Sequence, residues 1–396
     1  MRGPMHSLPV SSALQSMMVR IRRDLHQHPE RSWHEEGTAA SVMAELRALG
    51  LQPRRIAKTG VVVDIPGLRT RPLIALRADL DALPIHEETG LPFASQNPGL
   101  MHACAHDGHT AMALGAAALL LQDPPPVSVR ILFQPAEEVA EGARAMVADG
   151  ALADVAQIFG GHIDRHYPVG TIAVQAGAMN ASTDMFFITV RGRDGHGARP
   201  HEALDAVVVG SLLVTALQTI VSREIDPAHP SVITVGSFHA GTAANVIAGQ
   251  AELSGTIRAQ HPDVRKHLHA ALRRIASAIG LLHGAQIETR IVEGTPVLLN
   301  TPDMAALARE AAMQVCGPEQ VVELRSVNMG GEDFAVYLEN VAGAYVRFGG
   351  RAAGREGFPA HSSRFDFDES VLAFGAAYLA QVARVAAARL HSEVPQ

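Results

Sequence analysis

Aromatic side chains are scarce in this chain. One Trp, four Tyr and twelve Phe make up 4% of 396 residues, so any core must be built from Ala, Val, Leu and Ile. Cysteine is rarer: Cys104 and Cys316 are the only two, far apart, with the first inside a His-rich stretch. That argues against a disulfide framework and for a reducing compartment. Blocks of Lys and Arg are missing and the formal net charge is -7. Both facts disfavour a nucleic-acid partner or an anionic membrane surface. The longest apolar runs, such as Ala111 to Leu121, are too short to span a bilayer. No continuous apolar stretch precedes Arg20, Arg22, Arg23 and Asp24, so no signal peptide is expected and the cytoplasm is the expected location.

Apolar mass, by contrast, is plentiful. Hydrophobic residues reach 47% and charged residues 18%, a balance that builds large cores and excludes disorder. The length exceeds one ordinary core, which makes two domains the expectation. The first part alternates helix and strand. Ser11 to His28 and Glu35 to Leu49 carry helical spacing, with Gly50 as a stop. Val61 to Ile65, Leu73 to Ala78 and Val127 to Phe133 are short apolar runs that predict strands, and Thr110 to Leu121 is an Ala/Leu helix closed by Asp123 and three prolines. This order predicts an α/β fold, a mixed and mainly parallel sheet with helices on both faces.

The middle reads differently. Strands at Asp184 to Arg191, Ser231 to His239, Gln250 to Arg258 and Gln286 to Val292 interleave with helices at Ala203 to Arg223 and Asp263 to Ile279. The order β-α-β-β-α-β is a ferredoxin-like unit, able to fold on its own small core. Alternation then resumes with Asp303 to Val315, Ala344 to Phe348 and a closing helix from Ser370 to Leu390. The expected organisation is one domain in two pieces, 1–180 and 293–396, with 181–292 inserted.

Polar groups that carry chemistry cluster outside the insert. Cys104 and His106 stand two apart just before a helix expected near Gly108, which Asp107 can cap. His102 and His109 are rival donors in the same stretch. Glu137 and Glu138 follow the strand that ends at Phe133, and His162 closes Gly160-Gly161-His162. With His361 these residues offer a thiolate, imidazoles and carboxylates, the donors that borderline divalent metals take. Adjacent glutamates point in different directions on a regular backbone, which suits one to the metal and one to a nucleophilic water. Taken alone, the pair also reads as a solvated acidic turn. Arg77, Asp79 and Asp81 end another strand, and Asp79 is expected to support a ligand histidine. Inside the insert, His196 and His201 lie in a Gly-rich loop that can donate to an oxyanion, Asn245 in a hairpin connection, and Arg258 at a strand end where it can hold a carboxylate.

The stretches Arg77 to Pro84, Met101 to His109, Gln134 to Glu138, Gly195 to His201, Asn245 to Ile247 and Gly330 to Phe334 resemble the M20 metallopeptidase family. They are most similar to its amidohydrolase branch, which contains hippurate, N-acyl-amino-acid and indoleacetyl-amino-acid hydrolases. The motifs occur in the family's order over most of the chain. The resemblance implies a zinc-peptidase-like catalytic domain holding two divalent ions per subunit, of Mn, Zn, Ni or Co. It makes Cys104, His106, Glu138, His162 and His361 the ligands, with the cysteine bridging, and Glu137 the general base and acid. It makes 181–292 a lid and homodimerisation domain, His196 the oxyanion group, and Asn245, Arg258 and His201 substrate contacts. The expected reaction is hydrolysis of N-acetyl, N-benzoyl or similar amino acids. Dipeptidase, carboxypeptidase or N-acetyl-diamino-acid deacetylase activity is the alternative on the same scaffold. This chain departs from the family's pattern in carrying Ala105 where Gly is usual and Ala248 where Pro is usual.

Overall fold

A computed structural model describes residues 10–351 and 357–393, grouped in two compact units. The first comprises Met1–Met179, Leu299–Ser326 and Asp333–Gln396, the second Asn180–Leu298 and Val327–Glu332. The insert thus runs to residue 298 rather than 292, and 327–332 groups with it.

The first unit begins with helices α1 (Ser12–Gln27) and α2 (Glu36–Ala48), then strands β1 (Arg54–Ile56), β2 (Gly60–Ile65) and β3 (Arg69–Asp79). Helix α3 (His106–Gln122), strand β4 (Val127–Gln134), helix α4 (Gly142–Ala148) and strand β5 (Val155–Pro168) follow. The eight-stranded sheet has the order β1-β2-β4-β3-β5, then Ala342–Arg351, Ile172–Ala173 and Val321–Val322. Its centre is parallel: β3 pairs β4 and β5, and β5 pairs Ala342–Arg351, all in the same direction. The mainly parallel sheet is therefore as expected. Strand β4 is buried at every position, which is why it reads as a continuous apolar run.

Helices cover both faces. Leu14, Met18 and Ile21 of α1 share a core with α3 and with Val371, Leu372 and Leu379 of the last helix, Val371–Glu393. The stretch Val371–His391 is apolar enough to cross a membrane, but 83% of its apolar window is buried here, as a core helix requires. On the opposite face the short helix Phe334–Leu338 lays Phe334 against Tyr345, with ring centroids 4.8 Å apart.

Strand β5 has no clear counterpart in the local sequence signals, because Gly160 and Gly161 interrupt it. A Cβ at residue 160 would lie 2.9 Å from the Phe334 ring and one at 161 would lie 2.6 Å from the Phe348 ring. Close packing from both faces demands glycine twice, and His162 follows the pair within the strand.

In the second unit four antiparallel strands run in the order Ser231–Ala240, Gln250–Ala259, Ser182–Arg191, Gln286–Glu293. Phe186, Ile188 and Val190 alternate into a core with Leu213, Leu217, Leu268 and Leu272 of the two long helices, Ala206–Glu224 and Pro262–His283.

Candidate metal centre

The carboxyl ends of β3 and β4, with the middle of the adjacent parallel strand β5, carry the site. Asp79 of β3 is level with Gln134 of β4, and β5 runs beside β3 to present His162. Open α/β sheets place sites at this edge. The loop after β3 leads to Cys104, and the turn after β4 holds Glu137 and Glu138.

Cys104 Sγ lies 3.3 Å from His162 Nε2. Nε2 of His106 lies 3.8 Å from Glu138 Oε1 and 3.9 Å from Glu137 Oε2. His361 Nε2 stands 3.4 Å from Glu138 Oε2. Cys104, His106 and His162 form one donor group, Cys104, Glu138 and His361 a second, and His106, Glu137 and Glu138 a third, each spanning no more than 4.8 Å. Residues from four stretches of chain therefore converge, and Cys104 belongs to two of the groups.

The rival histidines separate on geometry. His109 Nε2 accepts the Ile163 N–H at 3.0 Å and its Nδ1–H donates to Asp79 at 2.7 Å, so its lone pair is already used. His102 is buried, neither ring nitrogen has a hydrogen-bond partner, and burial holds it neutral with a pKa near about 4. It enters none of the donor groups among the described residues. His162 donates Nδ1–H to the Ile163 carbonyl at 2.7 Å, which leaves Nε2 facing Cys104.

Asp79 lies 2.7 Å from both His109 and Arg77 and 3.8 Å from His106 Nε2, and Asp81 is the carboxylate beside His106 Nδ1, at 3.3 Å. The Asp81 backbone carbonyl also accepts from that nitrogen at 2.8 Å. Helix α3 starts at His106, not near Gly108, and Asp107 does not cap it: one oxygen takes the Gly108 N–H and the other faces His26 and Arg22. The two glutamates do not point apart. Ala136 is left-handed, at φ 53°, and this irregular turn brings both carboxylates to His106.

Two buried carboxylates hold that turn. Glu35 accepts the Ala136 N–H at 2.9 Å, and Asp81 accepts the N–H groups of Glu137 at 3.1 Å and Glu138 at 3.0 Å. Neither Glu35 nor this use of Asp81 carries a local signal, because the partner lies far along the chain.

The electrostatics favour a cation. Burial, and next the Glu138 charge, push the Cys104 thiol up; burial pushes the Glu138 carboxyl up to about 7. Burial keeps His162 and His361 below the ordinary histidine value, with His162 Nε2 turned to Cys104 and His361 Nε2 to Glu138. Two buried atoms that face each other, His106 Nε2 and Glu138 Oε1, have no hydrogen-bond partner. Against burial, the Asp79 charge and the Asp81 hydrogen bond hold His106 well above the ordinary histidine value, which marks this place as one that favours positive charge. A softly polarisable sulfur, imidazoles and a carboxylate fit a borderline divalent ion.

Ala105, between two of the candidate ligands, is fully buried at φ 66° and ψ 15°. Left-handed backbone costs a non-glycine residue roughly 1–2 kcal/mol. Ala105→Gly relieves this but loses roughly 0.5–1 kcal/mol of backbone entropy and about 0.8 kcal/mol of methyl burial. The terms nearly cancel, so the midpoint of urea unfolding should move little. Ala105→Val adds a β-branch that this conformation excludes and should lower stability by more than about 2 kcal/mol. Equal midpoints for the two variants would contradict the left-handed geometry.

Behind the site, the His26 ring is fully buried and bonds Asp107 at 2.8 Å and Glu87 at 3.3 Å. Burial alone would lower its pKa, but the Asp107 and Glu87 hydrogen bonds carry it up to about 9, from 6.5. A raised pKa stabilises fully below the unfolded value and is lost on passing the folded one. His26 should therefore contribute, at most roughly 3 kcal/mol, below about pH 6.5 and nothing above about pH 9. Urea unfolding of wild type and His26→Gln should differ near about pH 6 and converge near about pH 10. A gap independent of pH would mean that His26 is not charged.

In the second unit, His196 pairs with Val246 across a two-residue ladder, and its Nδ1 accepts the Ala198 N–H at 3.1 Å. Asn245 precedes that ladder and its carbonyl accepts the Gly197 N–H at 2.8 Å. His201 sits exposed in a 3-10 turn. Arg258 projects from the sheet face opposite the core residues Leu253 and Ile257.

A buried cluster of sulfur, imidazole and carboxylate at the strand ends of an α/β sheet is the arrangement of a metal-dependent hydrolase. The profile of Peptidase family M20/M25/M40 matches residues 75–385, and the chain belongs to this family, whose members are hydrolases acting on amide bonds. It is similar to the N-acetylcysteine deacetylase of Bacillus subtilis, 39% identical over 375 residues, 94% of this chain and 97% of the relative. It is 44% identical over 287 residues to an N-acyl-L-amino acid amidohydrolase of Geobacillus stearothermophilus, covering 72% of this chain and 78% of that one. Among solved structures it resembles YXEP of Bacillus subtilis, described as a dinuclear metal-binding peptidase of the M20 family. The TM-score is 0.84 at 36% identity, over 95% of this chain and 99% of that one.

Proposed function

We propose that the protein hydrolyses the amide bond of N-acyl amino acids, with two divalent ions held by Cys104, His106, Glu138, His162 and His361. The observation that carries this reading is the convergence of those donors with a second carboxylate, Glu137, 3.9 Å from His106. The names of the two curated relatives, both acting on N-acylated amino acids, support the substrate class.

Bound ions would polarise the amide carbonyl and acidify the attacking water. Glu137 then takes the proton from that water and returns it to the departing amine. Asp81 fixes Glu137 for this task through its backbone N–H. We assign His196 to the developing oxyanion, Arg258 to the carboxylate of the leaving amino acid, and Asn245 and His201 to the remainder of the substrate. A homodimer through the second unit is supported by the helix Ala206–Glu224, where Val207, Val208 and Leu212 are 40%, 50% and 43% exposed. We place the reaction in the cytoplasm.

The test is metal-stripped protein reloaded with Mn or Zn and offered hippurate, N-acetyl amino acids and dipeptides. Turnover of N-acyl amino acids that depends on the added metal is expected. Preference for dipeptides would move the assignment to a peptidase, and no amide turnover in metal-replete protein would overturn it. Sizing in solution should return a dimer.

A further inference from the structure

The site depends on bringing His361 against a loop far earlier in the chain. Two links do this. In front, the His361 N–H donates to the Ala103 carbonyl at 2.8 Å. Behind, the fully buried guanidinium of Arg22, on α1, reaches both pieces. Its Nε lies 3.0 Å from Asp107, beside His106, as an ion pair set off the line of a hydrogen bond. Its two NH2 groups reach Asp366 at 3.0 Å and Glu369 at 3.3 Å, in the segment that follows His361. The rings of Phe93 and Phe367 lie over the guanidinium at 4.6 and 4.5 Å. Phe367 in turn presses on Gly108 in the first turn of α3, where a Cβ would stand 2.7 Å from the ring.

Burying an arginine is costly unless its charge and its donors are matched, and here three carboxylates drawn from two segments match them. Stability alone gives no reason for those carboxylates to come one from the Cys104–His106 loop and two from the His361 segment. We infer that Arg22 is a positioning residue that locks the His361 segment to the Cys104–His106 loop and thereby sets the geometry of the metal centre. The inference rests on the ligand assignment proposed above. Only a planar fork can serve the three carboxylates at once, so lysine should not replace it.

Cobalt(II) is the probe, titrated into metal-stripped full-length protein against a competing chelator and followed by its visible absorption. Wild type should take up two ions. Arg22→Lys should keep its far-UV circular dichroism, shift the cobalt bands and weaken one of the two ions by about 10–100-fold, as loss of supports around a metal ligand does. In a His361→Ala background the same change should cost nothing further, because Arg22 acts through His361. Unchanged cobalt affinity and bands in Arg22→Lys, or an equal loss in the His361→Ala background, overturns the inference. If Arg22→Lys does not fold, Asp366→Asn with Glu369→Gln removes the far side of the clamp at partly exposed positions, and the same outcomes decide. Wild type that binds no cobalt overturns the ligand assignment and this inference with it, whereas wild type with two ions and indifferent variants overturns the inference alone.

Discussion

Glu137→Gln is expected to lower kcat by about 10³-fold with metal content near that of wild type, within the range that a positioned general base supplies. The substitution keeps shape and removes only the capacity to take a proton. The backbone at this position is held by Asp81 and that of Ala136 by Glu35, so the side chain should stay where it is. KM should change far less than kcat, because the group acts on the proton in flight and not on the bound amide. The neighbouring Glu138→Gln is the contrast. Its carboxylate stands within 4 Å of both His106 and His361, at 3.8 and 3.4 Å, and its loss should be read first as lost metal. Metal analysis and steady-state kinetics on both variants separate the two roles. Normal turnover in Glu137→Gln would remove it from the reaction.

Much of this arrangement was readable without coordinates, and the parts that were not share a cause. Strands such as β4 announce themselves because burial on both faces makes them uniformly apolar. Strand β5 does not, since its two glycines answer to Phe334 and Phe348, residues far away in the chain. The start of α3 carries no glycine signal, because the residue that turns the chain there is an alanine at φ 66°. Two adjacent glutamates diverge on a regular backbone, but Ala136 at φ 53° makes these two converge. The choice between Asp79 and Asp81 turned on which ring each carboxylate meets, and two residues of the same kind at one strand end carry no sign of that. Residue types and their order identify a donor set; which donor faces which is settled by backbone turns and by partners from elsewhere in the chain.

Cys104→Ser should abolish two-ion binding, with a fall in zinc affinity greater than the roughly 10–100-fold that loss of an outer support costs. Cys104 is the sulfur common to the group with His106 and His162 and the group with Glu138 and His361, so both positions lose a donor together. A serine hydroxyl is harder, less polarisable and far less acidic, a poor substitute for thiolate on a borderline ion. The thiol also makes a second, independent expectation. Burial and the Glu138 charge hold its proton on in the metal-free protein, so zinc uptake must expel it. Because ligands bind deprotonated, wild-type affinity should rise with pH. Calorimetry in buffers of different ionisation enthalpy should count about one more proton released by wild type than by the serine variant. Zinc binding by Cys104→Ser with wild-type affinity and wild-type proton release would take the sulfur out of the metal centre, leaving His106, Glu138, His162 and His361 to account for it alone.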